Sequence, residues 1–372
     1  MSAGPVPAIE TLSAGLLTLG DHEALARTRL DEQAWAYFSG GAADEVTLRA
    51  NRSAWDGLRL WPRVLQPLAG GHTRIELLGR TLAHPLLVAP LAYQRMAHPD
   101  GEMAMAHAAA SQGAGLVLST QASMPLETVA QAFGTYDERG PLWFQLYLQH
   151  DRAFTRELVQ RAEAAGYEAL VLTVDAPVSG ARDRERRAGF KLPAGVSAVN
   201  LAQLAAPAAR PGASLFDSLP AHAPTWDDVQ WLQENTRLPV LLKGVLHPQD
   251  ARQAANLQVA ALIVSNHGGR TLDTAPATAD VLPRIAQALA GDLPLLVDGG
   301  IRRGTDVLKA IALGARAVLV GRPCVYGLAN AGAVGVAHVL RLLRDELEIA
   351  MALCGCATLD QVSEDLFFDR KP

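Results

Sequence analysis

The sequence predicts an α/β fold, a (β/α)8 (TIM) barrel carrying a helical N-terminal leader and a lid insertion after the fourth strand. Three observations lead there. From about residue 85 onward, short, nearly continuous apolar runs alternate with helix-like segments, and there are eight such runs. Their apolar residues are successive rather than alternate, as in parallel strands covered by helices on both faces. Each run ends in polar or glycine-bearing residues, at the end where such a barrel assembles its site. Eight alternations close most naturally into a barrel.

Residues 1–84 read as a mostly helical leader with a turn at Ser39-Gly-Gly. The runs expected as strands are 85–91, 115–120, 142–148, 169–177, 239–245, 261–268, 294–300 and 317–323, within a barrel domain of 85–360. Apolar residues near helical spacing predict a helix over 151–165, and Thr225-Trp-Asp-Asp opens another with a cap and an acidic first turn. The Ala/Pro/Gly-rich segment 180–224 is too long for a plain connection and sits at a strand's C-terminal end, so it reads as an active-site lid. Residues 361–372 form a tail. A doubly wound sheet is the alternative, but its Gly-x-Gly-x-x-Gly turn is missing, as are a Gly-x-x-x-x-Gly-Lys loop and a Gly-x-Ser-x-Gly elbow.

Composition narrows the function. The 372 residues are 49% hydrophobic, 19% charged and 5% aromatic, enough for a large core of small and branched side chains and incompatible with disorder. A net charge of −5 offers no global basic field for nucleic acid, so a small molecule or another protein is the expected partner. Three cysteines, Cys324, Cys354 and Cys356, argue against a disulfide scaffold, and Cys354-Gly-Cys356 has no second thiol pair to complete a zinc site, so no metal is expected. The N-terminus lacks a signal-peptide pattern and no charge-free apolar run of about 18 residues stands out, from which a cytoplasmic protein without a membrane partner is expected.

The strand ends deliver the chemistry. They carry Ser119, Gln145 and Tyr147, Thr173 and Asp175, Lys243, then Ser265, His267 and Arg270, Asp298-Gly299-Gly300 with Arg302, and Gly321-Arg322. Glycine amides at Gly299, Gly300 and Gly321 with the guanidinium groups of Arg302 and Arg322 suit a phosphate after the last two strands, although Gly-Gly also reads as a plain tight turn. Ser119, Gln145, Thr173 and Lys243 suit a planar heteroaromatic ring with polar edges, and FMN meets both requirements. Lys243 then places a positive charge near the ring position that becomes anionic on reduction. Tyr147, Asp175, Arg182, His267 and Arg270 form a second set. Two arginines hold a carboxylate, His267 takes a proton at neutral pH, and Asp175 stabilises the imidazolium that results. A salt bridge remains the alternative for Asp175, and a capped turn for His267.

Ile263-Val-Ser-Asn-His-Gly-Gly-Arg270, Val297-Asp-Gly-Gly-Ile-Arg302, Leu172-Thr-Val-Asp175 and Phe144-Gln-Leu-Tyr147 resemble the FMN-dependent (S)-2-hydroxy acid oxidase and dehydrogenase family, which includes glycolate oxidase, lactate oxidase and mandelate dehydrogenase. The resemblance spans about 30 to about 360 and extends to the leader at Tyr37-Phe-Ser-Gly-Gly. It implies His267 as base with Asp175 as partner, Arg182 and Arg270 on the substrate carboxylate, and Tyr37 and Tyr147 as substrate hydrogen-bond donors. Flavin contacts are implied for the backbone of Ala89, Pro90, Leu91 and Ala92, and for Ser119, Gln145, Thr173, Lys243, Ser265, Asp298, Gly299, Gly300, Arg302, Gly321 and Arg322. It implies oxidation of a 2-hydroxy acid to the 2-oxo acid, with oxygen, giving hydrogen peroxide, or another electron acceptor taking the electrons, and a homotetramer. Gln121 stands where plant glycolate oxidase has tryptophan, which unsettles glycolate as the substrate. Another FMN barrel enzyme and a non-catalytic flavin-binding protein are the rival readings.

Overall fold

The computed structural model of the chain describes residues 11–205, 214–218 and 223–368, so parts of the expected lid and tail lie outside the described residues. Helices α1 (Leu19–Arg29), α2 (Glu32–Ser39) and α3 (Val46–Gly57) open the chain. Thr18 caps α1 reciprocally with Asp21, and the Asp31 carboxylate caps α2.

An antiparallel hairpin, β1 (Ile75–Leu77) and β2 (Arg80–Leu82), follows, where the sequence suggested more helix. Three-residue strands are too short for periodicity to register. Arg80 donates to Glu168 at 2.6 Å and to the Arg139 carbonyl, both just ahead of barrel strands, so the hairpin covers the N-terminal face, opposite the strand ends that carry chemistry.

The barrel comprises β3 (Leu86–Val88), α4 (Gly101–Ser111), β4 (Gly115–Ser119), α5 (Leu126–Phe133), β5 (Leu142–Leu146), α6 (Arg152–Ala164) and β6 (Ala169–Thr173). Two short helices, α7 (Asp183–Arg187) and α8 (Leu215–Ser218), and then α9 (Trp226–Glu234) precede β7 (Val240–Val245). It continues with α10 (Pro248–Asn256), β8 (Ala261–Val264), α11 (Thr278–Leu289), β9 (Leu295–Val297), α12 (Gly304–Ala312), β10 (Ala317–Val320) and α13 (Arg322–Cys354). Every neighbouring pair of barrel strands is parallel, and β10 returns to β3 through Val318 opposite Leu86, closing the sheet. All eight strands are buried along their length apart from Gly244, which is why their apolar runs do not alternate. The expected helix starts are also present: Asp151 accepts from the amides of Ala153 and Phe154, and Thr225 forms a capping box with Asp228.

One expectation fails in the last helix. Residues 323–340 carry no Asp, Glu, Lys or Arg, and α13 is long and apolar enough to cross a membrane by length and composition. Small residues dilute its hydropathy, and in the fold 78% of its most apolar window is buried. Nor is it straight. Ala331 and Gly332 leave helical geometry, and the segment doubles back so that Gly327 and Gly335 meet backbone to backbone, leaving no room for a β-carbon at either.

Candidate active site

The C-terminal strand ends open into a cavity of about 1510 Å³ that α2 and α7 help to wall. Tyr37, Ala89 to Ala92, Ser119, Gln145, Tyr147 and Thr173 line it, as do Arg182, Lys243, His267, Arg270, Asp298 to Gly300, Arg302, Gly321 and Arg322. Residues from all eight strand ends and from the leader thus share one space, the arrangement that a closed parallel barrel makes available.

His267 faces this space, with Asp175 behind it. His267 Nδ1 lies 2.9 Å from Asp175 Oδ1, which directs Nε2 towards the Tyr147 hydroxyl at 3.5 Å. The carboxyl of Asp175 is buried, which alone would raise its proton affinity. The facing imidazole and the nearby Lys243 charge outweigh burial and hold it below the usual carboxylate value. His267 itself adopts φ +57°, followed by Gly268 at +64° and Gly269 at +74°. Left-handed backbone is unfavourable for histidine and here is held by neighbours: Ser265 Oγ accepts from the His267 amide, and Asn266 exchanges reciprocal amide hydrogen bonds with Asn51 of α3. The leader therefore fastens the histidine loop.

Gly244 sets the other side of the pair. At φ +110°, it occupies conformational space open to glycine, and a β-carbon there falls 2.5 Å from both Cβ and Cγ of Asp175. Gly244→Ala is expected to push Asp175 away from His267, lowering kcat by at least about tenfold and stability by about 1–3 kcal/mol. Turnover and denaturant midpoint measured on the same preparation check it, and unchanged turnover would show that the pair tolerates displacement.

Lys243 lies deeper. Its ammonium donates to Ser265 Oγ at 2.9 Å and pairs with Asp298 at 3.2 Å. Burial works to lower its proton affinity, but Asp298 and Asp175 reverse that, and the lysine is held above its ordinary value and charged. Ser265 and Asp175 do not line the cavity. Ser265, expected to touch the flavin, is fully buried and uses its hydroxyl to join Lys243 to the His267 amide.

Arg322 lines the cavity, and its guanidinium donates to the carbonyls of Phe38, Gly40 and Gly268, clamping the leader to the histidine loop. Arg302, which pairs with Glu23 at 3.0 Å, lines the same end of the cavity, with the backbone around Gly299-Gly300 and at the start of α13. Three residues that line this end of the cavity each carry a buried polar atom without a protein partner: Gln145 Nε2, Thr173 Oγ1 and Asp298 Oδ1. Two donors and an acceptor left over around a lysine are what the polar edges of a flavin would satisfy.

The substrate end is aromatic and cationic. Tyr37 stacks on Phe190 at 4.9 Å, lies edge-on to Tyr93 at 6.0 Å, and receives the Arg270 guanidinium over its ring at 4.9 Å. Burial pushes the phenols of Tyr37 and Tyr147 up, so both remain protonated donors. Arg270 Nη1 also donates to the carbonyls of Tyr37 and Gly40. Two contributors escaped sequence reasoning: Phe190 and Glu185. Glu185 accepts from Arg270 and Arg182 at 3.2 and 3.4 Å, yet in sequence it looks like part of a solvated charge run.

Known proteins fit this geometry. Residues 26–369 match the family model for FMN-dependent dehydrogenase. An L-lactate oxidase of Alicycliphilus denitrificans is 50% identical, over 93% of this chain and 94% of its own length. Glycolate oxidase 1 of Zea mays is 43% identical over 92% and 93%, respectively. A crystal structure of mandelate oxidase with (S)-2-phenylpropionate superposes with a TM-score of 0.84 at 42% identity, covering 93% of this chain and 96% of that one. A barrel with these strand ends, a cavity whose unpaired donors suit a flavin, and similarity running almost end to end agree: the chain belongs to the family of FMN-dependent 2-hydroxy acid oxidases.

Proposed function

We propose that the protein oxidises a small (S)-2-hydroxy acid to the 2-oxo acid and returns the electrons to oxygen as hydrogen peroxide. The observation that carries this reading is the His267–Asp175 pair, 2.9 Å apart, opening towards Tyr147 in a cavity that also presents Arg270 and Arg182. The arginines take the acid's carboxylate, which fixes its C2 relative to the histidine. His267 Nε2 receives the proton, and Asp175 stabilises the imidazolium at Nδ1. Tyr147 and Tyr37 donate to substrate oxygens, while charged Lys243 favours negative charge at the far side of the cavity. FMN, when bound, supplies the two-electron acceptor that no side chain here can provide. Similarity to L-lactate oxidases supports a short aliphatic side chain on the substrate.

The test is anaerobic titration of the yellow protein with L-lactate, glycolate and (S)-mandelate. Bleaching by lactate at the lowest concentration, then recolouring in air with stoichiometric peroxide, is the expected result. Failure of every acid to bleach the flavin would overturn the reading, and bleaching without rapid reoxidation in air would replace oxygen with another acceptor.

A further inference from the structure

Glu185 has a chemistry of its own. It lies on α7 with its side chain 13% exposed, and a single oxygen, Oε1, approaches Arg270 Nη2 at 3.2 Å and Arg182 Nη1 at 3.4 Å. The neighbouring acid Asp183 pairs outwards with Arg186, so of these two only Glu185 turns into the cavity. We infer that Glu185 is an internal carboxylate that competes with the substrate's own for Arg182 and Arg270, and thereby sets the affinity and charge selectivity of the acid site.

The surroundings make this competition structural. Residue 184, next along α7, holds the helix to the leader: Arg184 donates to Ser39 Oγ at 3.0 Å and pairs with Glu45. The Ala181 carbonyl also accepts from the Ala43 amide. Glu185 is thereby presented by a fastened helix and not by a free chain. Arg182 still has donors to offer, since its buried Nε has no partner. Two guanidinium groups and one carboxylate sum to a single positive charge, which matches a monocarboxylate and leaves a second carboxylate on the ligand uncompensated. A partly neutralised pair also releases its product more readily than a bare one, because weaker ground-state binding of the acid leaves turnover free of slow dissociation.

The inference rests on the reading above that these arginines hold the substrate carboxylate, and the test separates the two. Calorimetry on the flavin-loaded protein measures pyruvate and, as a neutral analogue, pyruvamide. Glu185→Gln is expected to tighten pyruvate about tenfold, the effect of removing one partly buried charge a few ångströms away, and to leave pyruvamide within about twofold. Glu185→Ala should act in the same direction, which guards against a local defect of the amide variant. Equal tightening of both ligands would mean a reshaped cavity, and unchanged or weaker pyruvate binding in both variants would mean that Glu185 merely positions the arginines. Either result overturns the inference. Arg270→Lys should loosen pyruvate. If it does and the Glu185 variants do not tighten, only the competition is lost; if it does not, the carboxylate site itself is misplaced.

Discussion

His267→Ala is expected to lower turnover by at least about 10²-fold while flavin content stays full. The size follows from the neighbours that cannot stand in for the imidazole. Burial and the Asp175 charge raise the Tyr147 phenol, so it does not take up the role of a phenolate at neutral pH. Lys243 is held above its ordinary value by Asp298 and Asp175 and is already protonated. Asp175 has the right charge but lies behind the histidine, off the cavity lining. None of these three neighbours can therefore replace the imidazole at the position that Nε2 addresses. Flavin retention follows because the unpaired atoms suited to the ring belong to Gln145, Thr173 and Asp298, none of which leans on the imidazole. Truncation leaves the buried Asp175 carboxylate without its partner, at a cost of about 1–3 kcal/mol. Oxygen uptake, flavin absorbance and melting temperature measured together check all three parts, and a loss in turnover below about threefold would remove His267 as the base.

How far this site was legible in the sequence depends on the range of the interaction involved. Buried parallel strands announce themselves as unbroken apolar runs, so all eight were visible, and a barrel's strand ends locate most of the chemistry without further information. Their C-terminal limits were overshot for a local reason. The run 261–268 stops as a strand at Val264, since His267, Gly268 and Gly269 take left-handed angles that no ladder accommodates. Long-range contacts left no trace. The Arg322 fork turns to the carbonyls of Phe38 and Gly40, some 280 residues earlier, and nothing in Gly-Arg-Pro distinguishes that from a phosphate ligand. The contacts of Ser265 with Lys243 and of Glu185 with Arg270 left no trace either, because they depend on which cation the fold brings against each. The charge-free stretch of α13 was diluted by glycine and alanine, the same small residues that let it double back.

Arg270→Lys is expected to reduce kcat/KM by about 10²-fold, and to do so through both constants. The guanidinium serves three directions at once. Nη1 donates to the carbonyls of Tyr37 and Gly40, Nη2 reaches Glu185 at 3.2 Å, and the plane lies over the Tyr37 ring at 4.9 Å. A lysine ammonium is a point on a flexible stem and cannot span these partners while also meeting a carboxylate with two parallel bonds. One charge-assisted hydrogen bond to substrate is worth about 1.5–3 kcal/mol, and a factor of 10² corresponds to about 2.7 kcal/mol. Losing one such bond accounts for the effect in KM. The contribution in kcat comes from Tyr37, whose ring loses its cation and whose carbonyl loses a donor, so the phenol that should orient the acid relaxes. Burial and the like charge of Arg182 already lower the proton affinity of Arg270, a load that guanidinium tolerates and an ammonium does not. The lysine variant should consequently show a pH dependence that the parent lacks, with binding weakening further as pH rises towards the depressed lysine value. Steady-state kinetics with L-lactate across pH 6 to 9, roughly the span over which a buried lysine loses its proton, tests this directly, and kinetics matching the parent's would take Arg270 out of the carboxylate site.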